Sequence, residues 1–145
     1  MRAVIQRVAE ARVLVNGNVV GRIGPGLCVL LGINKNDTEA NAKRLARKIG
    51  NLRIFDDEQG KMNRSLAERH GEVLVISQFT LYAVCRKGNR PSFADAAPAE
   101  SALKLYEQVV HQLREAGLTV ATGQFQARMS VALVNDGPVT LLLDT

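Results

Sequence analysis

The stretch that most constrains this fold is Glu72-Val73-Leu74-Val75-Ile76-Ser77-Gln78-Phe79-Thr80-Leu81-Tyr82. Residues Val73 to Ile76 are all apolar, and three of the four are β-branched. A run with no polar interruption reads as a strand buried on both faces, so the chain must pack something on each side of it. The character then changes. Ser77, Gln78 and Thr80 put two hydroxyls and an amide at the end of that buried strand. Each costs about 1–3 kcal/mol if buried without a partner, so each must pair internally or face a ligand. Ser and Thr alone favour hydroxyls that satisfy nearby backbone. A polar cluster ending a core strand is also how a rigid scaffold presents donors to a substrate.

The rest of the chain supplies the packing partners. Residues 2–9 alternate imperfectly and read as a strand. Val13-Leu14-Val15, then Asn16-Gly17-Asn18, then Val19-Val20 predicts a hairpin, because Asn-Gly readily takes the positive φ angles of a tight turn. Gly24-Pro25-Gly26 predicts a second turn, and Leu27 to Ile33 a buried strand that contains Cys28. A helix follows, capped by Asn36 or Asp37 and ended by Gly50, with Ala42, Leu45, Ala46 and Ile49 on one face. Its other face carries Lys43, Arg44, Arg47 and Lys48. The like-charge pairs four apart cost about 0.2–0.5 kcal/mol each. Such a face is ordinarily just solvated, but it can also neutralise a phosphate backbone.

Leu52 to Phe55 reads as a short strand, Asp56 to Lys61 as a turn, and Asn63 to Gly71 as polar and irregular. Ala83 to Ala97 lacks periodicity; a loop of that length is usually functional or disordered. A second helix opens at Pro98, buries Ala102, Leu105, Tyr106, Val109, Val110 and Leu113, exposes His111 and stops at Gly117. Strands are predicted over Leu118–Ala121, Met129–Val134 and Val139–Leu143, with a turn at Asn135-Asp136-Gly137-Pro138. The expectation is a single domain over 1–145 of the α+β class: a mixed, largely antiparallel curled sheet or barrel with two main helices packed on it.

Composition excludes more than it assigns. The net charge of +5 and a pI near 9.6 weakly favour a polyanionic partner. With no Trp and 4% aromatics, an open stacking platform for single-stranded RNA is not expected. The opening residues do not resemble a signal peptide, and no apolar stretch is long enough to span a bilayer, so a cytoplasmic protein with no membrane partner is expected. Two cysteines make no disulfide framework, and no Cys/His spacing suggests a metal. Cys85, beside Arg86 and Lys87, reads as a surface thiol before it reads as a nucleophile.

Two motifs carry the reading further. Ser77-Gln78-Phe79-Thr80-Leu81 and Asn135-Asp136-Gly137-Pro138-Val139-Thr140 closely resemble the paired signatures of the D-aminoacyl-tRNA deacylases. The resemblance extends to Met1-Arg2-Ala3-Val4-Ile5-Gln6-Arg7-Val8, to the Asp56–Asn63 turn and to Arg90-Pro91-Ser92-Phe93. It departs at Gln126, where family members usually carry Gly or Ala. The resemblance implies an editing hydrolase that cleaves the ester between a D-amino acid and the 3′-terminal ribose of tRNA. It also implies action on glycine mischarged on alanine tRNA, and no metal or organic cofactor. The enzyme is expected to be a homodimer with the Gly-Pro turn of one subunit inserted into the pocket of the other.

On that basis Ser77, Gln78, Phe79 and Thr80 are the candidate catalytic residues. Gly137 and Pro138 are candidates for rejecting L-amino acids in trans. Arg7, Phe125, Met129 and Asn135 are expected about the substrate, and Lys43, Arg44, Arg47, Lys48, Arg86, Lys87 and Arg90 along the tRNA backbone. Only about 5–6% of bonds preceding proline are cis in folded proteins. The resemblance nevertheless implies a cis Gly137-Pro138 bond. Two chemistries compete: attack by Thr80, for which no base is evident, or water activated with help from the ribose 2′-hydroxyl, which is favoured. The rivals are a non-catalytic RNA-binding dimer and a related branch, with a trans Gly-Pro, that edits an L-amino acid.

Overall fold

The computed structural model describes residues 1–86 and 88–145. Eight strands and two helices form the frame: β1 (Arg2–Val15), β2 (Asn18–Ile23), β3 (Gly26–Gly32), α1 (Glu39–Asn51), β4 (Arg53–Asp56), β5 (Met62–Ser65), β6 (Glu72–Ser77), α2 (Ala99–Glu115), β7 (Thr119–Thr122) and β8 (Ser130–Asp144). The main sheet runs β2-β1-β3-β6-β7, with β8 on the other edge of β1. Pairs involving β1 are antiparallel, whereas β3–β6 and β6–β7 are parallel. The sheet is therefore mixed, as expected, and curls nearly into a barrel.

The strand β6 is buried on both faces. Val73 and Val75 join the core under the helices, while Leu74 and Ile76 join a second cluster with Val8, Val13, Ile23 and Cys28. Sheet curvature brings β2 close to β7, and Gly21 permits it: a Cβ there would stand 2.5 Å from the Thr122 carbonyl oxygen. The Asn16-Gly17 turn forms as predicted, with φ of 50° and 80°.

Several boundaries differ from the sequence expectation. The first strand does not stop near residue 9 but continues to Val15, because its two halves pair with different neighbours, β3 and then β2. Thr38, not Asn36 or Asp37, caps α1, with Asn41 closing the box; the Asp37 carboxylate instead accepts from Asn34 N–H at 2.6 Å. Gly50 is buried inside α1 rather than ending it. The Asn63–Gly71 segment is not wholly irregular, since β5 pairs with β4 in a small separate sheet. Asn135–Pro138 is no hairpin turn. Both flanking halves pair antiparallel with β1, so the chain does not reverse and β8 is one strand with an insertion.

The long connection after β6 is ordered by its ends. Phe79–Tyr82 forms a single 3₁₀ turn, Val84 and Ser92 exchange backbone hydrogen bonds at 2.8 and 3.0 Å, and Ala97 N–H donates to Ile33 O. Tyr106 ties α2 to the central strand by donating its hydroxyl to Val75 O at 2.8 Å. Burial pushes the Tyr106 hydroxyl up to about 12, and Cys28 up to about 11.

Tyr106→Phe should therefore cost about 0.5–1.5 kcal/mol at neutral pH, read from the urea midpoint. A tyrosine whose folded pKa is raised contributes stability that is whole below its unfolded value. That stability is lost as pH climbs from about 10 toward 12, because the unfolded chain ionises first. The variant should lose stability less steeply than the parent across that interval.

Candidate active site

A cleft of about 620 Å³ opens at the end of β6. Ser77, Gln78 and Phe79 form its polar rim, Leu31, Ile33 and Ile76 its floor, and Ala97, Ala99 and Ala102 at the start of α2 one wall. Phe125, Gln126, Ala127 and Met129 form the facing wall. Small residues at the start of α2 leave the room that larger side chains would fill. Phe125 does two jobs: its ring packs on Tyr106, centroids 5.8 Å apart, and its other side lines the cleft.

The rim is built by the change from strand to 3₁₀ turn. Gln78 N–H donates to Leu31 O at 2.8 Å, the last rung of the β3–β6 pairing. The chain then turns, and Leu81 N–H donates back to Gln78 O. The N–H groups of Phe79 and Thr80 open that turn, where a helix has no acceptor of its own to offer. Among the described residues no backbone carbonyl takes them. Phe79 lines the cleft and Thr80 follows it in the turn, so the two donors stand at or next to its rim. Gln78 Nε2 donates to Thr80 Oγ1 at 2.6 Å, which fixes the threonine hydroxyl. Among the described residues no histidine, lysine or carboxylate lines this cleft. His111 sits exposed on α2, 3.3 Å from Glu115. The Phe79 ring points outward, edge-on to Phe93 at 5.1 Å.

The Gly-Pro segment lies elsewhere in the same subunit. Between the pairs Gln6–Thr140 and Val8–Asn135, β1 has one residue, Arg7, and β8 has four, Asp136 to Val139. The insertion stands out from the strand with Gly137 at φ 127° and the Gly137-Pro138 bond cis. Beneath it Arg7 is 6% exposed. Its Nε donates to Asp136 O at 3.1 Å and its other arm to Ile54 O at 2.6 Å. The carboxylates of Asp136 and Asp56 lie 3.3 and 3.6 Å away. Asn135, at the edge of the insertion, is exposed.

Register shows how far this segment is from the cleft of its own chain. Ser77 aligns with Leu31, Ala3 and Leu143, whereas Arg7 aligns with Leu27 and Val73. Four residues along the strands and three strand spacings across amount to roughly 13 Å and roughly 14 Å. One subunit thus brings Ser77, Gln78, Phe79, Phe125 and Met129 together, with Thr80 just past the rim. It does not bring Gly137, Pro138, Asn135 or Arg7 to them. Lys43, Arg44, Arg47 and Lys48 are exposed on α1, and Arg86 and Arg90 on the loop after the 3₁₀ turn. Lys87 lies outside the described residues. Cys85 is exposed and lines a separate recess with Arg2 and Tyr82.

Sequence reasoning missed the alanine wall and the partners of Arg7. The small-residue run from Ala94 to Ala99 was a visible signal for the wall. Nothing local in sequence signals that Ile54 and Asp56 meet Arg7. Among the described residues no group of three or more His, Cys, Asp or Glu converges as a metal set would. No helix is long and apolar enough to cross a membrane.

Comparison with known proteins adds independent findings. The family model described as D-Tyr-tRNA(Tyr) deacylase matches residues 4–144. A D-aminoacyl-tRNA deacylase of Heliobacterium modesticaldum is 62% identical over 99% of this chain and 96% of its own. One of Roseiflexus castenholzii is 61% identical over 100% of this chain and 92% of its own. Among solved structures, a c-Myc DNA Unwinding Element Binding Protein superposes with a TM-score of 0.93 at 44% identity, covering 100% of this chain and 99% of that one. A probable eukaryotic D-amino acid tRNA deacylase shares the fold, with a TM-score of 0.86 at 20% identity, covering 99% and 98%. A family match over nearly every residue, with relatives about 60% identical from end to end, means that this chain belongs to the D-Tyr-tRNA(Tyr) deacylase family.

Proposed function

We propose that this chain hydrolyses the ester of D-aminoacyl-tRNA, and of glycyl-tRNA(Ala), releasing free amino acid and tRNA in the cytoplasm. The observation that carries the reading is the pair of N–H donors at Phe79 and Thr80, which meet no backbone acceptor among the described residues, in the turn that bounds the cleft. Donors placed where a carbonyl oxygen gains charge stabilise the tetrahedral intermediate of ester hydrolysis. Water adds to the ester carbon, the intermediate collapses, and the ribose 3′-oxygen leaves as a hydroxyl. Thr80 is a poor nucleophile here, because among the described residues no histidine, lysine or carboxylate hydrogen-bonds its hydroxyl, which is instead held by Gln78. The ribose 2′-hydroxyl of the substrate, beside the scissile bond, is the group that orients the water.

The chirality filter comes from a second subunit. The insertion at Gly137-Pro138 projects from β8, and among the described residues β8 pairs with β1 alone. Val131, Val134 and Leu142 are exposed along that strand. A long free edge with exposed apolar residues is normally covered, and a second copy of this chain is the cover we infer. The main-chain carbonyls of Gly137 and Pro138 would then hold the substrate ammonium and leave no room for a side chain on the L side. Main-chain atoms act alike on any D side chain, and glycine, with none, passes the filter.

The tRNA body is held through phosphates. The cleft lies at the start of α2, and the groove between α1 and the far end of α2 is lined by Lys43, Arg44 and Arg47. The twelve helical steps from about Glu100 to Gln112 span roughly 18 Å, a distance the acceptor stem must cross. The 44% identical structure is that of a protein named for binding a DNA unwinding element, which favours a second reading, a binding protein without catalysis.

Four measurements test these readings. With D- and L-tyrosyl-tRNA in parallel, the dimer should release tyrosine from the D-ester only; release no faster than in buffer would favour the binding protein. Thr80→Ala should keep measurable turnover, reduced about 10-fold as one positioning contact is lost; complete loss with binding intact would indicate attack by Thr80. Gly137→Ala places a Cβ 2.8 Å from a Val139 methyl and 3.3 Å from Arg7, so the insertion must shift, and discrimination between enantiomers should fall. Finally, tRNA affinity should drop steeply between 50 and 200 mM salt, by about 10³-fold if six phosphates are neutralised. A Lys43→Ala/Arg47→Ala double variant should show a shallower slope.

A further inference from the structure

Two of the four phenylalanines stand exposed, and they stand together. Phe79 is 57% and Phe93 38% exposed, and their rings meet edge-on with centroids 5.1 Å apart. Single apolar residues on a surface are ordinary, but phenylalanine is among the side chains most often buried, and a pair of them in water points to a use. The loop is built to present Phe93. Val84 and Ser92 exchange backbone hydrogen bonds just before it, and Phe93 O accepts from Ala96 N–H at 3.0 Å. Arg90-Pro91-Ser92-Phe93 is thus held at both ends of its ring-bearing residue. Phe79 joins this pair to the cleft: it lines the cleft, its N–H is one of the two donors there, and its ring turns outward to Phe93. The surrounding charge is positive. Arg86 and Arg90 are exposed on the same loop, whose one carboxylate, Asp95, is paired with Lys35 at 2.9 Å.

We propose that the Phe79–Phe93 pair seats the base of the nucleotide that precedes the terminal one, on the loop whose Arg86 and Arg90 serve the phosphates. This rests on the reading of the cleft as the seat of a tRNA acceptor end. A tRNA ends in unpaired nucleotides, so this base reaches the rim with its faces free. Aromatic rings flanked by cations suit an unpaired base and its phosphate. Stacking of this kind does not depend on the identity of the base, because every base has a flat face. The few aromatics in the chain exclude an extended platform; the pair supplies a single step of one.

The test titrates two dinucleotides into the full-length protein and follows amide chemical shifts. One is cytidylyl-(3′→5′)-adenosine; in the other the cytosine is absent and only its ribose remains. The parent should prefer the first by roughly tenfold, within the range that stacking one base on an aromatic ring supplies. Phe93→Leu keeps the apolar bulk but removes the flat face, and should lose most of that preference with the Tm unchanged; Phe93→Tyr should retain it. In hydrolysis, Phe93→Leu should raise KM about tenfold with kcat unchanged, equally for D-tyrosyl- and D-alanyl-tRNA. No binding or no preference in the parent, or a preference undiminished in Phe93→Leu, would overturn the proposal. A rise in KM confined to D-tyrosyl-tRNA would also overturn it, by assigning the rings to the amino-acid side chain. So would a parent dimer that sediments as monomers in Phe93→Leu, which would assign them to the subunit interface. A Phe93-dependent preference without any ester hydrolysis would leave base recognition standing and instead refute the deacylase reading.

Discussion

Every layer of this fold answers to one constraint: the strand Glu72–Ser77 must be covered on both faces and paired on both edges. Its alternating side chains feed two separate apolar clusters, one beneath the helices and one inside the curled sheet. Parallel neighbours on either side satisfy its backbone. The Val75 carbonyl shows how tightly the pieces are joined, for it accepts from Gly123 N–H in the ladder and from the Tyr106 hydroxyl above it. The helix and the segment leading into the cleft wall thus hang from one oxygen. Where the double coverage ends, at Ser77, the cleft begins.

The division of labour within the chain follows from the same geometry. Polar groups at the tip of the central strand are positioned by an element buried on both faces. The segment that we assign to enantiomer selection stands on the outermost strand, held by an arginine whose acceptors are mostly carbonyls. Rigid placement of the first is supplied by the core. Placement of the second is supplied by Arg7, and through Ile54 by the small sheet of β4 and β5.

Much of this was legible in the sequence because it depends on local chemistry. The two-faced strand, the Asn-Gly hairpin, the apolar stripes of both helices and the break at Gly117 each follow from neighbouring residues. The misreadings share a cause: they concern pairing between distant segments. Residues 2–9 and Val13–Val15 look like two strands until it is known that β1 serves three partners. Asn135–Pro138 looks like a reversal, because Asn, Asp, Gly and Pro are turn residues, yet β1 continues to pair on both sides of it. The residues of the cleft rim could be named from Ser77-Gln78-Phe79-Thr80, but the alanine wall opposite could not be assigned before α2 was placed. Gln126 stood out only as a departure from a pattern; its positive φ is a fact of the folded backbone.

The insertion in β8 has a consequence for how the chain avoids misfolding. A strand at the edge of a sheet can slide along its neighbour, and a slip of one residue turns every side chain to the wrong face. In β8 any such slip would carry the carbonyl and carboxylate of Asp136 away from Arg7 and leave the buried guanidinium with Ile54 O and Asp56 alone. A lost hydrogen bond to a charged group costs about 1.5–3 kcal/mol, and this adds to the penalty of turning the apolar face outward. Arg7 therefore adds a polar check to the apolar one: the alignment of the longest outer strand that sets Asp136 over the guanidinium is favoured over its neighbours.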